Sequence, residues 1–122
     1  MVMLDGTNYV RSIQRANPDG SLTFYCAIEE GLVFRVAKGV DLMANLVHAL
    51  EAITSAIGPP QAMLVFDCIL RKLEISQLKL RSDVGALLRG HGAVGFNTYG
   101  EQYQGVHVNQ TLVGIAFGKA AA

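Results

Sequence analysis

Charged residues are scarce in this chain. Only 16% of its 122 residues are Asp, Glu, Lys or Arg, while 51% are hydrophobic; soluble domains usually carry ~25% charged residues. That composition excludes a disordered chain. It also implies that a partner chain, a second domain or a ligand covers some apolar surface. Neither sign of charge is in excess: ten basic and ten acidic residues leave a formal net charge of zero. Without a basic stripe, neither nucleic acid nor an anionic membrane is expected as a partner. No apolar run approaches the roughly 18 residues of a membrane span. The opening Met1-Val2-Met3-Leu4-Asp5-Gly6 has neither the basic start nor the apolar core of a signal peptide. Cysteine is limited to Cys26 and Cys68, both in apolar runs. The expectation is a cytoplasmic protein with two reduced, buried thiols. The length fits one domain, residues 1–122, large enough to build a core without staples.

Turn signals divide what remains. Residues 9–14 form a short alternating run, closed by Asn17-Pro18-Asp19-Gly20. Here Pro presets φ and Gly supplies φ > 0. Leu22, Phe24, Cys26 and Ile28 alternate with Thr23, Tyr25 and Ala27, the period of a half-buried strand; Leu32, Phe34 and Val36 repeat it after Gly31. Three antiparallel strands are predicted. A helix follows, with Asp41 as N-cap, a stripe of Leu42, Leu46, Leu50, Ile53 and Ile57, and a stop at Gly58-Pro59-Pro60. Residues 62–68 are nearly all apolar, which predicts a central strand buried on both faces. Residues 71–81 settle on no period. Ser82-Asp83 is read as the cap of a short helix ending at Gly90 or Gly92. Residues 93–97 and 107–117 read as the last strands, the second with His107, Asn109, Thr111, Val113, Ile115 and Phe117 on one face. The tail, residues 119–122, has nothing to pack against and is expected to fray. The predicted fold is α+β (mixed α/β): one domain, a mostly antiparallel sheet, order β-β-β-α-β-α-β-β. There is no repeat, long linker or low-complexity segment.

Most chemistry is thinly represented. Cys26, His48, Cys68, His91 and His107 are scattered, with no CxxC or HxxxH to hold zinc. Cys68 with His107 or His91 could form a nucleophile and base, but a cysteine in an apolar strand is usually an inert core residue. Gly90-His91-Gly92 lacks the rest of a phosphate loop. Asn109-Gln110-Thr111 matches a glycosylation sequon, without meaning in a chain lacking a secretory signal. The segment from Asn97 to Thr111 stands apart. It carries Asn97, Tyr99, Glu101, His107, Asn109 and Thr111 between two apolar strands. Such donors and acceptors beside tyrosines suit a small polar ligand. A polar hairpin whose side chains cap one another reads equally well.

Three stretches resemble a known family: Val65-Phe66-Asp67-Cys68-Ile69-Leu70-Arg71, then Gly95-Phe96-Asn97-Thr98-Tyr99-Gly100-Glu101, then His107-Val108-Asn109-Gln110-Thr111. Their order and spacing resemble the C-terminal half of FIST sensory domains. Tyr9-Val10-Arg11 and Pro18-Asp19-Gly20-Ser21-Leu22 resemble its beginning, so the likeness runs over residues 8–118. It implies a non-enzymatic, ligand-sensing module of bacterial signal transduction, acting in the cytoplasm beside a histidine kinase. The wording around Cys68 and Tyr99 looks most like the subgroup with haem-binding nitric-oxide sensors. That subgroup implies haem as a cofactor, with His107 as first axial candidate, then His48 and His91. The implied ligand is otherwise amino-acid-like, in a pocket of Asn97, Tyr99, Glu101, His107, Asn109 and Thr111 with Cys68 and Arg71. Glu101 and Arg71 would hold its charged ends. A FIST N-terminal half is the implied partner, and the chain is expected to be either an excised C-terminal domain or a stand-alone version. The surface meeting it would then be exposed, and homo-oligomers through that surface are expected. The alternative reading is an interaction module that docks a kinase or the N-terminal half and binds nothing small.

Overall fold

The computed structural model describes residues 1–4 and 6–119. In chain order its elements are β1 (Val2–Leu4), β2 (Thr7–Tyr9), β3 (Ile13–Ala16), β4 (Leu22–Phe24), α1 (Leu42–Ile57), β5 (Ala62–Cys68), α2 (Ile69–Gln77), α3 (Arg81–Gly90), β6 (Ala93–Thr98), β7 (Glu101–Tyr103), β8 (Val106–Val108) and β9 (Leu112–Phe117). The α+β class holds, and four of the five strand pairings are antiparallel.

β5 is the centre of a three-stranded sheet, order β6-β5-β9, with β6 parallel to it and β9 antiparallel. Helices α2 and α3 form the crossover between the parallel strands, as a parallel pair requires. The helices cover one face of this sheet. Leu42, Leu46 and Leu50 of α1, Ile75 of α2 and Val84 of α3 bury themselves against Met63 and Val65 of β5. α1 forms where the sequence places it. The Asp41 carboxylate accepts from the Ala44 amide at 2.7 Å, and Gly58 leaves the helix at φ 74°.

Val65 pairs with Gly95 on one side and Gly114 on the other. These glycines let the strands come close under the helices. A methyl on Gly114 would lie 2.7 Å from the Leu64 carbonyl oxygen, and one on Gly95 would overlap the Val65 carbonyl.

Several expectations need correction. The run expected at residues 9–14 is split between β2 and β3, which belong to two separate hairpins. The strand expected from Leu22 onward stops at Phe24, because its partner β3 begins at Ile13 and no further ladder is available. Of Leu32, Phe34 and Val36, only Phe34 makes a bridge, to Val2. Alternation marks a candidate strand, but a strand exists only where a neighbour satisfies its backbone. β5 is central, yet Leu64 is exposed and Phe66 only half-buried, so one of its faces is open. The undecided residues 71–81 are mostly α2, and α3 starts from Leu80 with no side-chain cap, not from Ser82-Asp83. The single strand expected at residues 107–117 is two strands in two sheets, separated by Gln110 at φ 54°. Of the tail expected to fray, residues 120–122 lie outside the described residues.

Candidate functional site

β5 and β6 are parallel, so their carboxyl ends lie side by side, the usual place for a site in such sheets. Asp67 and Cys68 close β5, and Cys68 is also the N-cap residue of α2. This direct strand-to-helix junction puts Arg71 one turn above Asp67. Arg71 Nε donates to Asp67 Oδ1 at 2.8 Å, and Asn97 Nδ2 of β6 donates to the Asp67 carbonyl at 3.2 Å. Burial pushes the Asp67 carboxyl above its ordinary value. The Arg71 guanidinium pulls it back only in part, and the nearby Glu101 carboxylate adds to the rise.

Glu101 opens β7 and is buried. The Thr98 hydroxyl donates to one of its carboxylate oxygens, and the Thr111 hydroxyl donates to the other at 2.6 Å. The chain then runs through the β7–β8 hairpin. Its turn, Gln104 at φ 51° and Gly105 at φ 78°, has the two left-handed residues that match the twist of a tight hairpin. It returns to Asn109, 1% exposed, whose Oδ1 has no partner among the described residues. Arg71 Nη2 is likewise buried and unpartnered. The Cys68 amide donates to the Thr111 carbonyl at 3.0 Å, which fixes the return beside β5.

Gln110 holds this corner to the rest of the molecule. Its Nε2 donates to Glu74 Oε2 of α2 at 3.1 Å, and Ser12 Oγ donates to its Oε1 at 3.2 Å. Arg11 Nη1 donates to the His107 carbonyl at 2.8 Å. A cavity of about 330 Å³ opens beside these groups, lined by Arg71, Glu74 and Gln110 with Lys38, Asn45 and Leu42. A second, of about 280 Å³, lies between Tyr9, Tyr103, Val108 and Thr111. Both are near the lower end of small-ligand cavities, roughly 300–1,000 Å³.

The expected site residues therefore divide. Cys68, Arg71, Glu101 and Thr111 gather at the carboxyl end of β5, Asn97 touches them through the Asp67 carbonyl, and Asn109 is buried two residues before Thr111 without lining either cavity. Tyr99 does not join them; it is 91% exposed. His107 is exposed on β8, its ring against Gly100, where any side chain would collide with it. Three polar residues that matter were not singled out: Asp67, Thr98 and Gln110. All three lie within the quoted stretches, but the part Gln110 plays is recognisable only once its left-handed φ aims it at Glu74.

Haem does not fit beside His107. That ring shares a cavity of about 230 Å³ with Arg11, Cys26 and Glu29, too small and too charged for a large flat macrocycle. His91 Nδ1 is taken by the Leu87 carbonyl at 2.9 Å, and His48 is exposed on α1. Among the described residues no three His, Cys, Asp or Glu side chains form a group that could hold a metal ion. None of the three histidines hydrogen-bonds Cys68 there either. Among the same residues no helix is long and apolar enough to cross a membrane.

No curated protein and no solved structure matches the chain. The family model of the FIST C domain matches residues 1–104. That span contains the Asp67–Arg71 pair, Asn97 and Glu101, and it ends in the turn of the β7–β8 hairpin, short of Asn109 and Thr111. The chain belongs to the FIST C domain family, a sensory type of domain in signal transduction.

Proposed function

We propose that this chain is a non-enzymatic ligand-sensing module of bacterial cytoplasmic signalling, with its site at the carboxyl end of β5. One observation carries the reading. Among the described residues Arg71 Nη2 and Asn109 Oδ1, a donor and an acceptor, are both buried without partners, as is Arg11 Nε. Buried polar groups are nearly always satisfied, and leaving one unmade costs about 1–3 kcal/mol. A ligand that brings both a carboxylate and an N–H donor would satisfy the two, which favours an amino-acid-like molecule. Glu101, expected to hold the ligand's amine, already accepts from Thr98 and Thr111. Asn109 takes that role instead. Arg71 sits on α2, so its movement onto a ligand would be felt along that helix. Binding then shifts an equilibrium between two arrangements of the corner.

The test is a melting-temperature screen against the amino acids, on this chain and on a protein that also carries a FIST N-terminal half. A ligand at about 100 times its Kd adds roughly 2.7 kcal/mol, several degrees for a domain of this size. Arg71→Ala abolishes that shift. If no amino acid at millimolar concentration moves the melting temperature of either protein, the ligand reading fails.

A second reading rests on the open face of the central sheet. There the chain docks a FIST N-terminal half or a histidine kinase and binds nothing small. It predicts a stable complex with such a partner and no ligand-dependent shift.

A further inference from the structure

Residues of β5, β6 and β9 alternate between the two faces of the central sheet. One set meets the helices. The other set holds Leu64 and Phe66 of β5, Val94 and Phe96 of β6, and Ile115 and Phe117 of β9. No element of the described residues covers it. Val94 is 65% exposed, Phe96 64%, Ile115 55% and Phe117 52%. Phe66 and Phe96 pack edge to face on the paired strands β5 and β6, with ring centroids 5.2 Å apart. No charged residue lies on this face in any of the three strands.

We infer that this face is a self-association surface, and that its occupant is the same face of a second copy, stacked across a twofold axis. The available area is sufficient. At about 150–200 Å² for a large side chain, the exposed part of these six offers roughly 500 Å² per copy. That lies in the upper part of the range for the largest apolar patch of a typical monomer, about 300–600 Å². Doubled, it comes to about 1,000 Å², the least that a specific interface buries. The chemistry suits a like partner. Because the face is uncharged, stacking strands no charge in a low dielectric. It also presents no charge pattern that would select an oppositely charged chain. The formal net charge of zero means that two copies do not repel at long range. Two strand-only faces pack well on each other, about 10 Å apart with aligned strands, and the twofold axis buries both Phe66–Phe96 pairs.

The inference stands independently of the ligand reading. Sedimentation equilibrium of the full chain, from about 1 to about 300 µM, reads it directly, with half-dimerisation expected inside that range. Phe96→Glu and Ile115→Lys, tested separately, each leave a monomer throughout that range. Because both side chains are more than half exposed, both variants keep the wild-type far-UV spectrum. Val36→Lys, an exposed position off the sheet, leaves dimerisation unchanged. A wild-type chain that stays monomeric at the top of the range overturns the inference. So does a dimer that survives both face substitutions. A monomer that strongly binds a hydrophobic dye, lost on Phe96→Glu, would assign the face to a different partner.

Discussion

At the residue scale, the centre of the site is a carboxylate that structure, not ligand, has satisfied. Glu101 takes one hydroxyl on each oxygen, from Thr98 three residues before it and Thr111 ten residues after it. It thereby ties the end of β6 to the start of β9. Removing it leaves two hydroxyls in a half-buried corner. Glu101→Ala therefore lowers unfolding stability by about 1–3 kcal/mol, read by urea denaturation, and Thr111→Val costs about 1 kcal/mol. Glu101→Gln costs less than the alanine, because hydroxyls can turn to serve the amide. Asp67 gives a prediction with a definite sign. Its pKa is raised above 3.8 by burial, against the pull of Arg71. The folded state thus favours the protonated acid. Its contribution to stability is full below the unfolded value and is lost as pH rises through the folded value. Asp67→Asn removes this dependence. Wild type loses stability relative to the variant as pH climbs from about 4 towards neutrality, the reverse of an ordinary paired carboxylate. Urea midpoints of both proteins across that range measure it. A difference that grows in favour of wild type would refute the assignment.

At the element scale, legibility depended on whether a signal was local. Asp41, the leucine stripe and Gly58 act within α1 itself, so its boundaries were readable within a residue. The turn of Asn17 to Ser21 was equally local. Asp19 Oδ1 accepts from the Ser21 amide and hydroxyl, which holds its carboxyl below the usual value. Strands are different, because each needs a neighbour that sequence does not name. Residues 9–14 and 32–36 alternate well, but the ladder that would have used their full length is missing. On the run at residues 107–117, the change from a polar to an apolar half was visible. It marked the passage from one sheet to another, which alternation alone cannot distinguish from a cleft. Gly95 shows the same limit at a motif. In sequence it belongs to the expected strand of residues 93–97 and to a stretch that resembles FIST domains. In the fold it is needed because Val65 passes too close for a side chain. Gly95→Ala accordingly destabilises by about 3 kcal/mol, and Gly114→Ala by less, since its methyl needs a smaller shift. Thermal unfolding of the two variants checks the order. Gly95→Ala folding as stably as wild type would refute the close approach of Val65.

At the scale of the whole molecule, a helical layer covers one side of the sheet, and the cysteines sample its closed and open regions. Cys68 is completely buried where β5 passes into α2, at the point that joins sheet, helix and site. Cys26 is only half-buried, after β4 in the long connection to α1, and burial pushes its thiol up despite the nearby Arg11. Alkylation at neutral pH then separates two levels of stability. Cys26 reacts without unfolding but more slowly than a free thiol, because less of it is thiolate. Cys68 reacts only when the sheet-and-helix layer opens, because no probe reaches it in the closed fold. Its labelling rate falls below that of the unfolded chain by a factor near the global unfolding constant, roughly 10³ or more. Urea at sub-denaturing concentration accelerates Cys68 with the slope of global unfolding and leaves Cys26 nearly unchanged. Mass spectrometry of the labelled protein gives both rates. Fast, urea-independent modification of Cys68 would mean that the corner opens by itself. It would also restore the case for a reactive thiol at the end of β5, which the complete burial of Cys68 argues against.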